Sequence, residues 1–301
     1  MEFPKLARCL AAGLLFAMPF AHAEDIDLFT GVDAASTDLP NVLIVIDNTA
    51  NWSTAFTAEM AALASTVDGL ENNKFRLGFM MYTETGSGNG NPDGAYVRAA
   101  VRTMSEANKT LYKNLVLDFH VNNDKSNNGK LGLTMSEVNR YFSSSTAYAG
   151  ANKKKRDFTG NASGTAAANA VYTLPGNALA SSDATIYQAP TSSVCKKNYV
   201  IFLSNGKSSS NNSDNTTATN HLAAAGGKTT TIPLTPSGMQ SEIADEWARY
   251  LANKTTNPVV TYVIDVVPTV AGQYSADYKA LLQSMAEEGQ GKYFDVGSAG
   301  A

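Results

Sequence analysis

Residues 42–53 read Val-Leu-Ile-Val-Ile-Asp-Asn-Thr-Ala-Asn-Trp-Ser. An unbroken run of branched and long apolar residues is what a strand buried on both faces requires, and the polar residues that follow at once end it in a turn. Helical spacing then takes over: Phe56, Met60, Leu63 and Val67 recur at intervals of four, three and four, which describes one apolar helix face. Strand, polar turn and helix in immediate succession are the repeating unit of an α/β domain.

The same texture continues along the chain. Strands are expected over 42–47, 75–82, 96–102, 198–204, 259–267 and 292–296. Ile243, Trp247, Tyr250 and Leu251 mark one later helix, and Tyr278, Leu281, Leu282 and Met285 mark another, with Ser275 and Gly289 as its caps. Thr134-Met135-Ser136-Glu137 reads as a capping box opening a helix through Phe142, with Thr134 at its start. The expected fold is α/β, with a mostly parallel central sheet, helices on both faces and long polar insertions.

Three polar stretches break the alternation. Residues 84–94 form an exposed connection, 149–194 an Ala/Ser/Asn/Thr-rich insertion, and 205–238 a segment with little helical signal before Ser241. Loops this long are functional or unstructured. The one basic cluster, Lys153-Lys154-Lys155-Arg156, is expected to be a solvated loop. It lacks the interleaved aromatics of a nucleic-acid surface, so no nucleic-acid partner is expected.

The N-terminus carries Lys5 and Arg8, an apolar run over 9–20, and then Ala21-His22-Ala23. Residues 1–23 are therefore expected to be a signal peptide cleaved before Glu24. No later window is long and apolar enough to span a bilayer, so the mature chain is expected to be soluble outside the cytoplasm. The net charge is −4, and losing Lys5 and Arg8 together with Glu2 leaves −5, a balance that excludes a general polyanion binder. Residues 24–40 read as an extended leader closed by Pro40, and 41–301 as the domain. Its length suits one large α/β domain as well as two small ones. Cys9 leaves with the signal, and Cys195, alone thereafter and just before an apolar strand, is expected to be buried.

Candidate chemistry gathers at strand ends. Open α/β sheets place ligands beyond the carboxyl edge, where this chain offers Asp47-Asn48-Thr49-Ala50-Asn51 after the first strand and Ser204-Asn205-Gly206 after the fourth. Between them lies Gly129-Lys130-Leu131-Gly132-Leu133-Thr134. This set resembles the metal-ion-dependent adhesion site of von Willebrand factor A domains, at Asp47, Thr49, Asn51, Thr134 and Asn205. Alternate residues of a tight loop turn their oxygens to one side, as a hard cation requires. The resemblance implies a von Willebrand factor A-type fold over about 41–296 and a divalent ion, Mg²⁺ or Ca²⁺. Asn51 and Asn205 stand where that site has a Ser and an Asp, so Asp47 is the lone carboxylate and binding is expected to be weak.

The segments EDIDLF, IDNTANWS, FMMYTETGSGN, NPDGAYVRAAVR, KKNYVIFLSNG and GKYFDV, spread over 24–296, together resemble the N-terminal region of the type IV pilus biogenesis and tip adhesin group (PilY1/PilC). That resemblance implies adhesion or pilus assembly at a pilus tip or cell surface through the degenerate metal site, or alternatively a structural assembly factor that docks on minor pilins without metal. The partners it implies are minor pilins or the tip complex, with a host or matrix surface protein as an alternative. Members of the group continue into a C-terminal β-propeller, so a fragment, a truncated relative or a stand-alone tip domain is expected here.

Other motifs lead nowhere. Gly206-Lys207-Ser208 and Gly227-Lys228-Thr229 lack the first Gly of a phosphate-binding loop, Ile201 and Leu222 standing in its place. Asp124, Ser126, Asn128 and Gly129 open like a calcium loop, but Met135 stands where the bidentate Glu belongs. His120 is expected inside a helix beside Phe119. With no G-x-S-x-G elbow and no nucleophile, base and orienting group that assemble, the expectation is binding, not catalysis.

Overall fold

The computed structural model describes residues 39–49, 55–83, 93–120, 122–126, 129–163, 170–190, 197–207, 210–266 and 275–296. The signal peptide, the leader up to residue 38, the connection from 84 to 92, Asn51 and Cys195 lie outside them. Six strands, β1 (Asn41–Ile46), β2 (Arg76–Tyr82), β3 (Ala95–Thr103), β4 (Asn198–Ser204), β5 (Val259–Asp265) and β6 (Gln290–Asp295), form one sheet. Its order is β3-β2-β1-β4-β5-β6, and every pairing is parallel except β2 with β3. The helices are α1 (Ala55–Gly69), α2 (Glu106–Leu117), α3 (Leu131–Phe142), α4 (Asn212–Ala224), α5 (Ala244–Ala252) and α6 (Ala276–Glu288). The α/β class and mostly parallel sheet expected from the sequence are present.

The period-two geometry of a strand divides β1 between two cores. Leu43 and Val45 join one core with residues of α3, α4, α5 and α6, while Ile44 and Ile46 join the other with residues of α1 and α2. The chain winds outward from β1 to β2 on one side and from β4 to β5 on the other. The ends of β1 and β4 therefore border the crevice where a doubly wound sheet receives its ligands.

Four expectations need correction. Residues 212–224 form α4, whose start is closed by a reciprocal box: the Asn211 side chain accepts from Asp214 N at 3.0 Å and Asp214 accepts from Asn211 N at 3.0 Å. Only Ala218 and Leu222 are buried apolar residues on this helix, too few to produce a visible period. Second, α3 begins at Leu131, before the supposed box. Thr134 is already inside it and donates its hydroxyl to Lys130 O at 2.9 Å. Glu137, fully buried, instead takes the N–H groups of Tyr148, Ala149 and Gly150 at 3.2 Å and the Tyr187 hydroxyl at 2.6 Å. Third, α2 ends at Leu117, so His120 lies in the loop beyond it.

The fourth concerns the insertion and its basic cluster. Much of 149–190 is packed against β3. Asp157, fully buried, accepts from both terminal nitrogens of Arg102 at 3.0 and 3.1 Å and from the N–H groups of Ala100 and Ala178 at 3.0 Å. Asp157 N–H itself donates to Val97 O at 2.9 Å, and Phe158 bridges to Leu179. Lys153 is fully buried and Lys155 donates to Asp124 at 2.6 Å, which leaves Lys154 as the exposed member of the cluster. A low apolar content disguised this segment, because buried ion pairs and carboxylate clamps hold it in place.

Candidate functional site

The first strand runs directly into the site. Asp47 N donates to Leu203 O at 3.1 Å, carrying the β1–β4 ladder one residue past the strand. The Asp47 side chain then bends back: Oδ1 accepts Thr49 N at 3.0 Å and Oδ2 accepts Asn205 N at 3.1 Å. At 2% exposure, Asp47 is not the solvent-facing turn residue that its place after a strand suggests. Burial pushes its pKa up to about 6, against the pull of the Thr49 hydroxyl and the two backbone donors, and the nearby charge of Asp265 adds to the rise.

Thr49 is fixed from the other side. It forms a parallel bridge with Ser126, while the Asn48 side-chain amide donates to Tyr82 O at 2.9 Å and Asp124 O at 2.6 Å. Asp124, instead of opening a calcium loop, pairs with Lys155 at 2.6 Å and Arg98 at 3.7 Å and accepts His120 N at 2.9 Å. Gly129 lies so close that a Cβ would sit 3.1 Å from Thr49 Cγ2 and 3.2 Å from Tyr82 Cε2. The turn after β1 is thus braced by a loop some eighty residues further on.

Of the five residues expected in the site, Asp47, Thr49 and Asn205 come together. Thr134 is buried with its hydroxyl committed to its own helix, and Asn51 lies outside the described residues.

Sequence reasoning overlooked three neighbours. Glu59 on α1 is 8% exposed, and among the described residues neither of its carboxyl oxygens has a hydrogen-bond partner. Burial, with the charge of Asp47, pushes its pKa up to about 8, so it holds a proton at neutral pH. Tyr82, at the end of β2, has a buried hydroxyl without a partner among the described residues, and burial and the same Asp47 charge raise its pKa. Asp265 ends β5 and accepts the Tyr293 hydroxyl at 3.0 Å. Two of these were legible. Glu59 falls on the apolar face between Phe56 and Met60, where a charged residue is out of place, and Asp265 closes an apolar strand as Asp47 does.

The residues present fit a preformed divalent site poorly. Both oxygens of the single carboxylate already accept N–H groups, and the unpartnered side-chain atom of Asn205 is its amide nitrogen, a donor. Among the described residues no group of three or more His, Cys, Asp or Glu is arranged to hold a metal ion. What the edge offers is a set of buried hydrogen-bonding groups beside Asp47: the Asn205 amide, the Tyr82 hydroxyl and the Glu59 carboxyl. Native structures leave few such groups unsatisfied.

No family model matches the chain, and no curated protein does. Among solved structures, it is similar to two structures of proximal thread matrix protein 1 from the mussel byssus. One, in crystal form 2, aligns at a TM-score of 0.42 and 11% identity, over 86% of this chain and 44% of the other. The second aligns at 0.34 and 9%, over 83% and 47%. The match thus spans under half the length of each of these two structures. Among the described residues no helix is long and apolar enough to cross a membrane.

Proposed function

We propose that this chain is an exported, type IV pilus-associated binding domain that engages a protein partner at the carboxyl edge of its sheet, in adhesion or in assembly at a pilus tip or cell surface. The export and pilus parts of this reading are supported by the signal-like N-terminus and the joint sequence resemblance. Its location rests on one observation: three buried polar groups, without partners among the described residues, surround an aspartate at the crevice of a doubly wound sheet. A partner side chain entering there would satisfy donors that folding leaves open, and that supplies a driving force specific to the complex.

Between the two forms of this reading, docking on minor pilins without metal is favoured over metal-bridged adhesion. The reason is the occupation of both Asp47 oxygens by main-chain N–H groups. The test is capture of purified minor pilins, and separately of an immobilised matrix protein, by the wild-type chain and by Asn205→Ala. That substitution removes the open amide while keeping the main-chain bond to Asp47. The expected result is minor pilin binding that survives a chelator and is lost in Asn205→Ala at unchanged thermal stability. Equal capture by the variant would end the assignment of the edge, and chelator-sensitive capture of the matrix protein would favour adhesion.

A further inference from the structure

The C-terminal ends of α3, α4 and α5 leave two adjoining clefts, both lined by Tyr250. The first encloses about 330 Å³ and is walled by Arg140, His221 and Lys254 with serine hydroxyls between them. The second encloses about 410 Å³ and is walled by Lys228, Arg249 and a pair of glycines. Among the described residues no carboxylate lines either cleft, although the chain as a whole carries −4.

The hydrogen bonds of these cations go to neutral groups. Lys254 Nζ donates to Asn139 Oδ1 at 3.0 Å and Ser143 Oγ at 2.7 Å. One terminal nitrogen of Arg140 donates to Thr146 O at 2.8 Å, and among the described residues its buried Nε has no partner. Arg249 donates to Lys228 O at 3.1 Å and Thr230 O at 3.0 Å. Glu137, three residues before Arg140 on α3, is turned inward and taken up by Tyr148, Ala149, Gly150 and Tyr187. Converging helix C-termini do attract cations. Here, however, the cations bond to loop carbonyls and neutral side chains and not to the last-turn carbonyls, so the dipoles alone do not account for them.

The uncharged parts of the clefts are preset. The Tyr250 hydroxyl donates to Ala225 O at 2.7 Å and its ring packs edge-on to Trp247 at 5.7 Å, which fixes an aromatic wall. His221 lies with Nδ1 3.1 Å from Ser136 Oγ, and burial together with Arg140 pushes its pKa down to about 4, so it is a neutral hydrogen-bonding group. An aromatic wall, hydroxyls, an amide and an imidazole suit a polyhydroxylated ring, while two separated pairs of cations suit acid groups carried on it. We infer that the two clefts form one binding site for an acidic oligosaccharide, a sugar ring against Tyr250 and its carboxylate or sulfate groups between Arg140 and Lys254 on one side and Lys228 and Arg249 on the other. None of Asp47, Thr49, Glu59, Tyr82 and Asn205 lines either cleft, so this site is separate from the Asp47 edge.

The test is calorimetric titration of the purified chain with a heparin-derived tetrasaccharide, a polygalacturonate-derived tetrasaccharide, maltotetraose as a neutral control, and a short oligothymidylate. The two acidic sugars separate sulfate from carboxylate as the recognised group. At least one should bind ten times or more tightly than maltotetraose, with affinity falling as salt rises. Lys254→Gln and Lys228→Gln, at the cleft rims, should each weaken it several-fold, and Arg140→Gln with Lys254→Gln tenfold or more, at unchanged melting temperature. If Arg140→Gln disturbs the fold, the two lysine variants decide the matter. Equal binding of maltotetraose, tighter binding of the oligothymidylate, no binding of either acidic sugar, or wild-type affinity in the lysine variants would overturn the inference.

Discussion

The carboxylate of Asp47 accepts the main-chain N–H of Asn205 at 3.1 Å, so the ends of β1 and β4 are joined across 158 residues of sequence. With Thr49 N on the other oxygen at 3.0 Å, one side chain shapes both turns that border the crevice. A residue so placed has a structural task as well as whatever it does for a partner.

Asp47→Ala should therefore destabilise the domain by about 2–4 kcal/mol, since two N–H groups lose their acceptor in a buried setting. The near-neutral cost expected of a solvent-facing turn residue does not hold at 2% exposure. Asp47→Asn keeps one acceptor and should cost less. Urea denaturation of the three proteins checks the order, and an alanine variant within 0.5 kcal/mol of wild type would contradict it.

Glu59 should make stability fall with rising pH. Its unfolded pKa is 4.5 and its folded value about 8, so between these values the folded chain holds the extra proton. The stabilisation is complete below 4.5 and is lost as pH rises through about 8. Asp47 acts in the same sense between 3.8 and about 6. Melting temperature should decline from pH 6 to 9, and Glu59→Gln should flatten the decline and exceed wild type at pH 9, by no more than about 5 kcal/mol. Parallel profiles for both proteins would show that Glu59 is solvated.

Asp157→Ala should cost about 3–5 kcal/mol, because it strands Arg102 in the interior without its counter-ion. Arg102 side-chain exposure is 4% and that of Asp157 is 0%. The insertion should also detach from β3 before the sheet unfolds, so limited proteolysis at 37 °C should cut within residues 150–163 or 170–190 in the variant and spare those residues in the wild type. Resistance in both would show that the segment is held by its apolar contacts alone.

Divalent binding at the Asp47 edge should be no better than millimolar in Mg²⁺ titrations, since one carboxylate with both oxygens already engaged supplies little charge. Asn205→Asp should tighten it by adding a second carboxylate. Micromolar affinity in the unmodified chain would show that the main-chain N–H groups give way to the ion.

The framework was legible because short apolar runs rich in β-formers announce strands: each of the six lies within a few residues of its expected span. What escaped the sequence was held by polar contacts. Helix α4 has the sequence Asn-Ser-Asp-Asn-Thr-Thr-Ala-Thr-Asn-His-Leu-Ala-Ala, in which threonines and asparagines carry no period. Only the Asn211 and Asp214 pair, three residues apart, signalled its start. The packing of residues 149–163 and 170–190 depends on Asp157 and Glu137, whose importance comes from burial that no local pattern reveals. At the site, Asp47 and Asn205 were found by following strand ends. Glu59 required asking why a carboxylate shared a face with Phe56 and Met60, and its proximity to Asp47 is a matter of tertiary placement.

The two margins of the sheet are finished differently. Beside β3, the Asp157 amide bonded to Val97 O puts folded chain across the strand's outer side. At the other margin β6 alternates between exposed and half-buried residues, with Phe294 42% exposed. An outermost strand is a template for pairing with another chain unless something lies across it. The segment that carries Asp157 therefore acts as a guard on the β3 side, shielding that margin from strand addition.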